Sequence, residues 1–177
     1  MTAKISTPEM EEAIAGYFNY RQNIIVPNIS WGFFIHECDL LIIRKTGYVL
    51  EVEIKISRAD LIKDGEKKHN HEDYFNRIKE LWFAIPDYLE DCIDLIPKNA
   101  GIITVYYNEW AEKLCCKIIR NAVINKNARS LAQNEILKVA KLGTMRIWGL
   151  KRKIINNKKP VKKRIVYDKS QLKLQYD

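Results

Sequence analysis

Tyr48–Ser57 reads Y-V-L-E-V-E-I-K-I-S, and its side chains alternate in character. Tyr48, Leu50, Val52, Ile54 and Ile56 point one way; Val49, Glu51, Glu53, Lys55 and Ser57 point the other. A period of two is the mark of a β-strand with one apolar face. The odd-numbered face is the unusual one, because it sets two carboxylates and an ammonium in a row within apolar sequence.

Working outward, Lys45-Thr46-Gly47 is a short turn with glycine where a positive φ is useful. Before it, Trp31–Arg44 reads as a strand whose later half, Leu40–Ile43, is continuously apolar and fits a central strand buried on both sides. The turn makes these two strands an antiparallel hairpin. Asp39 and Glu53 then meet across the ladder, where neighbours lie about 5 Å apart. After the hairpin, Ser57-Arg58-Ala59-Asp60 has the shape of a capping box, with Asp in place of Glu or Gln, and predicts a short helix ending before Gly65.

The remaining elements follow from period and punctuation. Thr7-Pro8-Glu9 is a helix start with a hydroxyl cap, and Met10, Ala13, Ile14, Tyr17 and Phe18 form its apolar stripe. Glu11 lies at the edge of that stripe and Glu12 nearly opposite. Asn23–Asn28 is a short apolar segment stopped by Pro27. Glu66–Asp73 is a polar loop, and Tyr74–Lys79 is expected to be helical. Leu81–Ile85 is a strand ended by Pro86, Asp87–Asp94 a short helix, Gly101–Tyr107 a strand, and Glu112–Arg120 its hairpin partner. Ser130 is placed to cap a last long helix running to Leu150. This order of strands and helices predicts an α/β fold with a central mixed sheet flanked by helices.

Composition bounds the class. At 177 residues and 47% hydrophobic content, the chain suits one domain with a substantial core. No apolar run approaches the roughly 20 residues of a membrane helix, and the N-terminus lacks the apolar centre of a signal peptide, so the expected setting is cytoplasmic, away from membrane. Cys38, Cys92, Cys115 and Cys116 have no C-x-x-C or zinc-knuckle spacing and read as small hydrophobes.

The net charge of +8 is local. Eight of the 30 basic residues lie in Lys151–Arg164, namely Lys151, Arg152, Lys153, Lys158, Lys159, Lys162, Lys163 and Arg164; the other 22 balance the 22 acidic residues. The expected organisation is therefore a domain over 1–150 and a basic tail over 151–177. Such a block commonly meets nucleic acid; a solubilising tail without a specific partner is the alternative.

Asp39, Glu53 and Lys55 carry the chemistry. Two converging carboxylates repel and are costly to bury. A hard divalent cation removes that cost, and magnesium needs only one or two carboxylates because it keeps several waters. The carbonyl of Ile54 is a candidate third oxygen. A bound metal acidifies its water and stabilises charge on phosphorus, while Lys55 is placed to orient the attacking water or neutralise phosphate. Glu37 and Glu51 are further acids that add a second metal or border the site. His36 is out of phase with Asp39 and reads as structural; His69 and His71 form H-x-H in the polar loop and read as solvated. Trp82, Trp110 and Trp148 lie among apolar neighbours and read as core. No P-loop, dinucleotide fingerprint or Ser-His-Asp order is present.

An acid, a hairpin and then Glu53-Ile54-Lys55 resembles the signature of the PD-(D/E)xK nuclease superfamily. The stretch from His36 to Asp64 resembles the MmcB-type DNA-repair endonucleases, whose E-I-K-x-S-x-x-D run, following lysine and later F-A-x-P appear as Glu53–Ser57 with Asp60, Lys67 or Lys68, and Phe83–Pro86. Cys38 stands where the superfamily often has proline before the first acid. The resemblance implies a restriction-endonuclease-like three-layer fold and Mg²⁺- or Mn²⁺-dependent hydrolysis of DNA, in repair or a mobile-element setting. It also implies an N-terminal helix that can lend a glutamate, a role that falls on Glu11. The alternatives are a nucleic-acid-binding module that does not cut and a protein-interaction domain with a disordered tail.

Overall fold

The computed structural model describes residues 4–29, 37–66 and 76–158. The chain divides into two compact units, Met1–Thr144 and Met145–Asp177. The first holds helix α1 (Thr7–Tyr17), strands β1 (Ile24–Ile29), β2 (Cys38–Ile43) and β3 (Val49–Ile54), helix α2 (Arg58–Glu66), strand β4 (Ile78–Pro86), a 3-10 helix (Asp87–Leu95), strands β5 (Gly101–Asn108) and β6 (Lys113–Arg120), and the start of helix α3 (Gln133–Lys158). The six strands form one sheet in sequence order. The outer pairs β1–β2, β2–β3 and β5–β6 are antiparallel, and the inner pairs β3–β4 and β4–β5 are parallel. The fold is thus α/β with a mixed sheet flanked by helices.

The alternation of β3 sorts the layers. Leu50, Val52 and Ile54 join Leu40, Ile42, Trp82, Ala84, Ile103 and Val105 in one apolar cluster, closed by Met10, Ala13 and Ile14 of α1. On the other face, Leu41, Ile43 and Val49 pack with Leu131 and with Val139 of α3. Phe83, Ile85 and Ile102 meet Leu61 of α2 and Leu89 and Cys92 of the 3-10 helix there. Each large aliphatic side chain buried in these clusters is worth about 1.5–3 kcal/mol relative to exposure. β2 is covered on both faces, as its unbroken apolar run requires.

Two glycines are sterically required. Gly47 closes the β2–β3 hairpin at φ 78°, with its N–H bonded to the Arg44 carbonyl at 2.8 Å. Gly101 pairs with Trp82 across β4–β5, and any Cβ there would collide with the indole ring.

Several local expectations change. The first helix is capped by Ser6 rather than Thr7; the Glu9 carboxylate accepts from the Ser6 N–H at 2.8 Å and hydroxyl at 2.6 Å. Its stripe is shorter than expected, since Tyr17 is exposed. Pro27 does not stop its segment, because β1 is an edge strand where a missing N–H costs no ladder bond. The strand expected over Trp31–Arg44 is described from Cys38 onward, with 30–36 outside the described residues. Ser57 caps the helix after β3, its hydroxyl accepting from the Asp60 N–H and donating to the Asp60 carboxylate in place of the backbone bond of a full capping box. α2 runs through Gly65 to Glu66. Ile78 and Lys79, expected to be helical, belong to β4, whose parallel pairing to β3 overrides local propensity.

Ser130 does not cap α3. Glu135 bonds the Ala132 N–H at 2.8 Å, two residues later, and is itself gripped by Arg129 through two bonds of 2.8 Å. α3 continues past Leu150 to Lys158, so the start of the expected tail is helical. Trp82 is core, whereas Trp110 is fully exposed and Trp148 largely so, at 100% and 61%. Trp110 lies in the β5–β6 turn, where no facing layer covers it.

Candidate functional site

The site grows from the end of the β2–β3 hairpin. Its register pairs Leu40 with Val52, and one step further along it lie Asp39 and Glu53. The Ile54 N–H donates to Asp39 Oδ2 at 2.7 Å, which anchors the first acid to the strand carrying the second. Ile54 was expected to offer its carbonyl; the contact it makes here is through its amide.

Glu53 lies in β3 and Lys55 one residue beyond its end. Their side chains meet at 2.9 Å, and only 16% and 13% of each is exposed. The Lys55 N–H holds to β4 through the Ala84 carbonyl at 3.0 Å, and its ammonium lies 5.9 Å from the ring centroid of Phe83, the β4 partner of Glu53. Even so, the Glu53 carboxyl is pushed up to about 7. Burial is the main cause; Lys55 pulls the other way, and the charges of Asp39 and Glu51 add to the rise. Glu51 is 1% exposed and faces Leu41 and Leu81 on the neighbouring strands.

Two acids expected nearby take different positions. Glu37 precedes β2 and is exposed. Glu11 of α1 is half-buried and accepts a bond from Asn28 Nδ2 at 3.2 Å. Burial raises its carboxyl, the Asn28 bond draws it down, and the charge of Asp39 raises it slightly. Asn28 has no part in the sequence reading. Its one signal is the Pro-Asn dipeptide, a pair suited to a kinked backbone.

Cys38 is 2% exposed, and burial, reinforced by Glu51, Glu53, Asp39 and Glu37, pushes its thiol far up. It is a packed hydrophobe and not a nucleophile. The other cysteines are also free, and burial holds the Cys116 thiol up at about 12.

Among the described residues, no group of three His, Cys, Asp or Glu side chains is spaced to hold a metal ion. What Asp39 and Glu53 offer is smaller: two carboxylates on adjacent strands at the hairpin end, each able to give a hard oxygen. That donor set fits a magnesium-type ion that keeps most of its waters, and it does not fit a closed all-protein cage.

In the second unit, Lys151, Arg152 and Lys153 are exposed on α3, and the Lys151 ammonium lies 5.0 Å from the Trp148 ring centroid. Lys158 is the last residue of the helix. Lys159, Lys162, Lys163 and Arg164 lie outside the described residues, as do His36, His69, His71, Lys67 and Lys68.

No protein-family model matches the chain, and no curated protein matches its sequence. The fold has a solved counterpart. The SPO1766 protein of unknown function from Silicibacter pomeroyi superposes with a TM-score of 0.57 at 15% identity, covering 88% of this chain and 95% of that one. A likeness at this identity shows the fold alone. No helix among the described residues is long and apolar enough to cross a membrane.

Proposed function

We propose that this chain is a metal-dependent nuclease of the PD-(D/E)xK type that hydrolyses phosphodiester bonds in DNA. The observation that carries the reading is the arrangement at the hairpin end: Asp39 and Glu53 on adjacent strands, Lys55 paired with Glu53 at 2.9 Å, and a Glu53 carboxyl pushed up to about 7, chiefly by burial. Asp39 and Glu53, with the Ile54 carbonyl, would hold Mg²⁺ or Mn²⁺. Bound there, such an ion supplies Lewis-acid activation of water and stabilisation of charge on phosphorus.

The protein's own groups divide the remaining work. The Lys55 ammonium, screened from solvent and steadied by Phe83, faces a non-bridging phosphate oxygen and neutralises charge where low dielectric makes that most effective. Ile54 N–H keeps Asp39 oriented. Glu11 adds a further carboxylate from α1. The exposed lysines and arginine of α3, with the basic residues after it, grip phosphate by point charge and make binding salt-dependent.

The test is cleavage of single- and double-stranded DNA by the purified chain with Mg²⁺, Mn²⁺ or EDTA. Cutting that needs the metal and is lost in Glu53→Ala and Lys55→Ala is expected. Activity that survives both substitutions, or no cutting with either metal, overturns the assignment. The close Lys55–Glu53 pair favours one alternative, a nucleic-acid-binding module that keeps the arrangement without cutting. Binding without cleavage under every metal identifies it.

A further inference from the structure

From residue 145 on, α3 carries five basic residues, Arg146, Lys151, Arg152, Lys153 and Lys158, and no acidic one. The sequence has no Asp or Glu at all between Glu135 and Asp168. The apolar residues of this part are ordered. Ile147, Leu150 and Ile154 recur at spacings of three and four, and Trp148 and Ile155, seven apart, run beside them, so the five form one stripe along the helix. Lys153, Asn156 and Asn157 fall on the opposite side, and Met145 is the one apolar side chain away from the stripe. All five stripe residues are between 53% and 61% exposed.

Charge and shape together select what covers such a stripe. A second copy would bring the same cations against these, and facing like charges repel. DNA would meet the cations through phosphate but offers the stripe little apolar surface. An apolar groove on another protein would have to take in Lys151, which stands within the stripe with its ammonium 5.0 Å from the Trp148 ring centroid; burying that charge is costly. A lipid surface accommodates it, because a lysine stem lies along acyl chains while its ammonium reaches back to the headgroups. Tryptophan also suits that boundary, with an apolar ring and one polar N–H. Such a helix lies along the surface rather than crossing it, and so needs no membrane-spanning length.

We propose that residues 145–158 of α3 dock the protein on an anionic lipid surface, the apolar stripe entering the acyl boundary and Lys151 and Arg152 meeting headgroup phosphate. This role is separate from the site at the hairpin end and stands or falls without it. The same cations meet DNA phosphate in the nuclease reading, so the stripe is what distinguishes the two partners.

The test is sedimentation of the full chain with vesicles of pure phosphatidylcholine or of equal parts phosphatidylcholine and phosphatidylglycerol, beside DNA binding by fluorescence anisotropy. Binding to the mixed vesicles, weakened by salt, and none to pure phosphatidylcholine is expected. Ile147→Ser combined with Ile154→Ser should lower vesicle affinity by about 100-fold, since each change forfeits the burial of an exposed aliphatic side chain. DNA affinity and the thermal midpoint should not change. No binding to the mixed vesicles, equal binding to both kinds, or parental vesicle affinity in the double variant overturns the assignment. An equal loss of DNA affinity overturns it too, because the stripe then does not separate lipid from DNA. If the double variant's midpoint falls, tryptophan emission with brominated phosphatidylcholine in the mixed vesicles decides. Quenching in the parent that is lost in Trp148→Phe supports the docking helix; quenching that persists at the parental level overturns it.

Discussion

The Lys55 ammonium lies 2.9 Å from the Glu53 carboxylate, yet that carboxyl remains pushed up to about 7. An ion pair this close normally draws a carboxyl down. Burial outweighs the pair, and Asp39 and Glu51 oppose it further. The pair therefore sits where burial, more than its own attraction, sets the state of the carboxyl.

Glu53→Gln and Lys55→Ala should each lower Mg²⁺-dependent DNA cleavage by about 100-fold or more, the scale of removing a group that acts on developing charge. They should differ in stability. Lys55→Ala leaves Glu53 largely buried without its ammonium and should cost about 1–3 kcal/mol in urea unfolding at neutral pH, whereas Glu53→Gln should cost less. Equal stability losses would contradict the burial described.

Glu135 should govern acid stability. Its bonds to Arg129 hold the carboxyl down at about 2, helped by the Ala132 N–H and the Arg77 charge. A carboxyl lowered by folding contributes stability that is fully present above its ordinary value of 4.5 and is lost as pH falls through about 2. Glu135→Gln should therefore cost about 1–2 kcal/mol at pH 7 and progressively less below pH ~4. Urea midpoints of both proteins measured from pH 7 to pH 2 would show the gap closing. A constant gap would mean that the bonds, and not the charge, carry the effect.

Gly101→Ala should destabilise by about 1–3 kcal/mol, because the new methyl lands on the Trp82 indole in a packed cluster. Gly16→Ala, with open space around its Cβ position, should be neutral or slightly stabilising as a helix substitution. Denaturant unfolding of the two variants side by side checks the contrast.

Replacing Lys151, Arg152 and Lys153 by Gln should flatten the salt dependence of DNA binding. Each lost phosphate contact lowers the log–log slope by about 0.9 on duplex DNA, so the full set lowers it by up to about 3. Fluorescence anisotropy over a salt series measures this. An unchanged slope would place the phosphate contacts elsewhere.

Much of the fold is legible locally. The Gly47 turn and the Ser57 cap encode their conformation within a few residues and stand in the structure, and the strand expected over Tyr48–Ser57 is present in its Val49–Ile54 part. Ile78 and Lys79, expected to be helical, lie in β4, and Trp110 and Trp148, expected to be core, are exposed, because local character says neither which strands will pair nor whether a facing layer exists.

Sequence by itself determined the strand, its charged face and the hairpin that sets Asp39 against Glu53, since period and turn chemistry are short-range properties of the chain. Tertiary structure decided the rest. The parallel register of β4 puts Phe83 beside Glu53 and its lysine, and the packing of α1 on the sheet brings Glu11 to Asn28 of β1. Those contacts join residues far apart along the chain, and only the register of the ladders and the burial of whole helix faces bring them together.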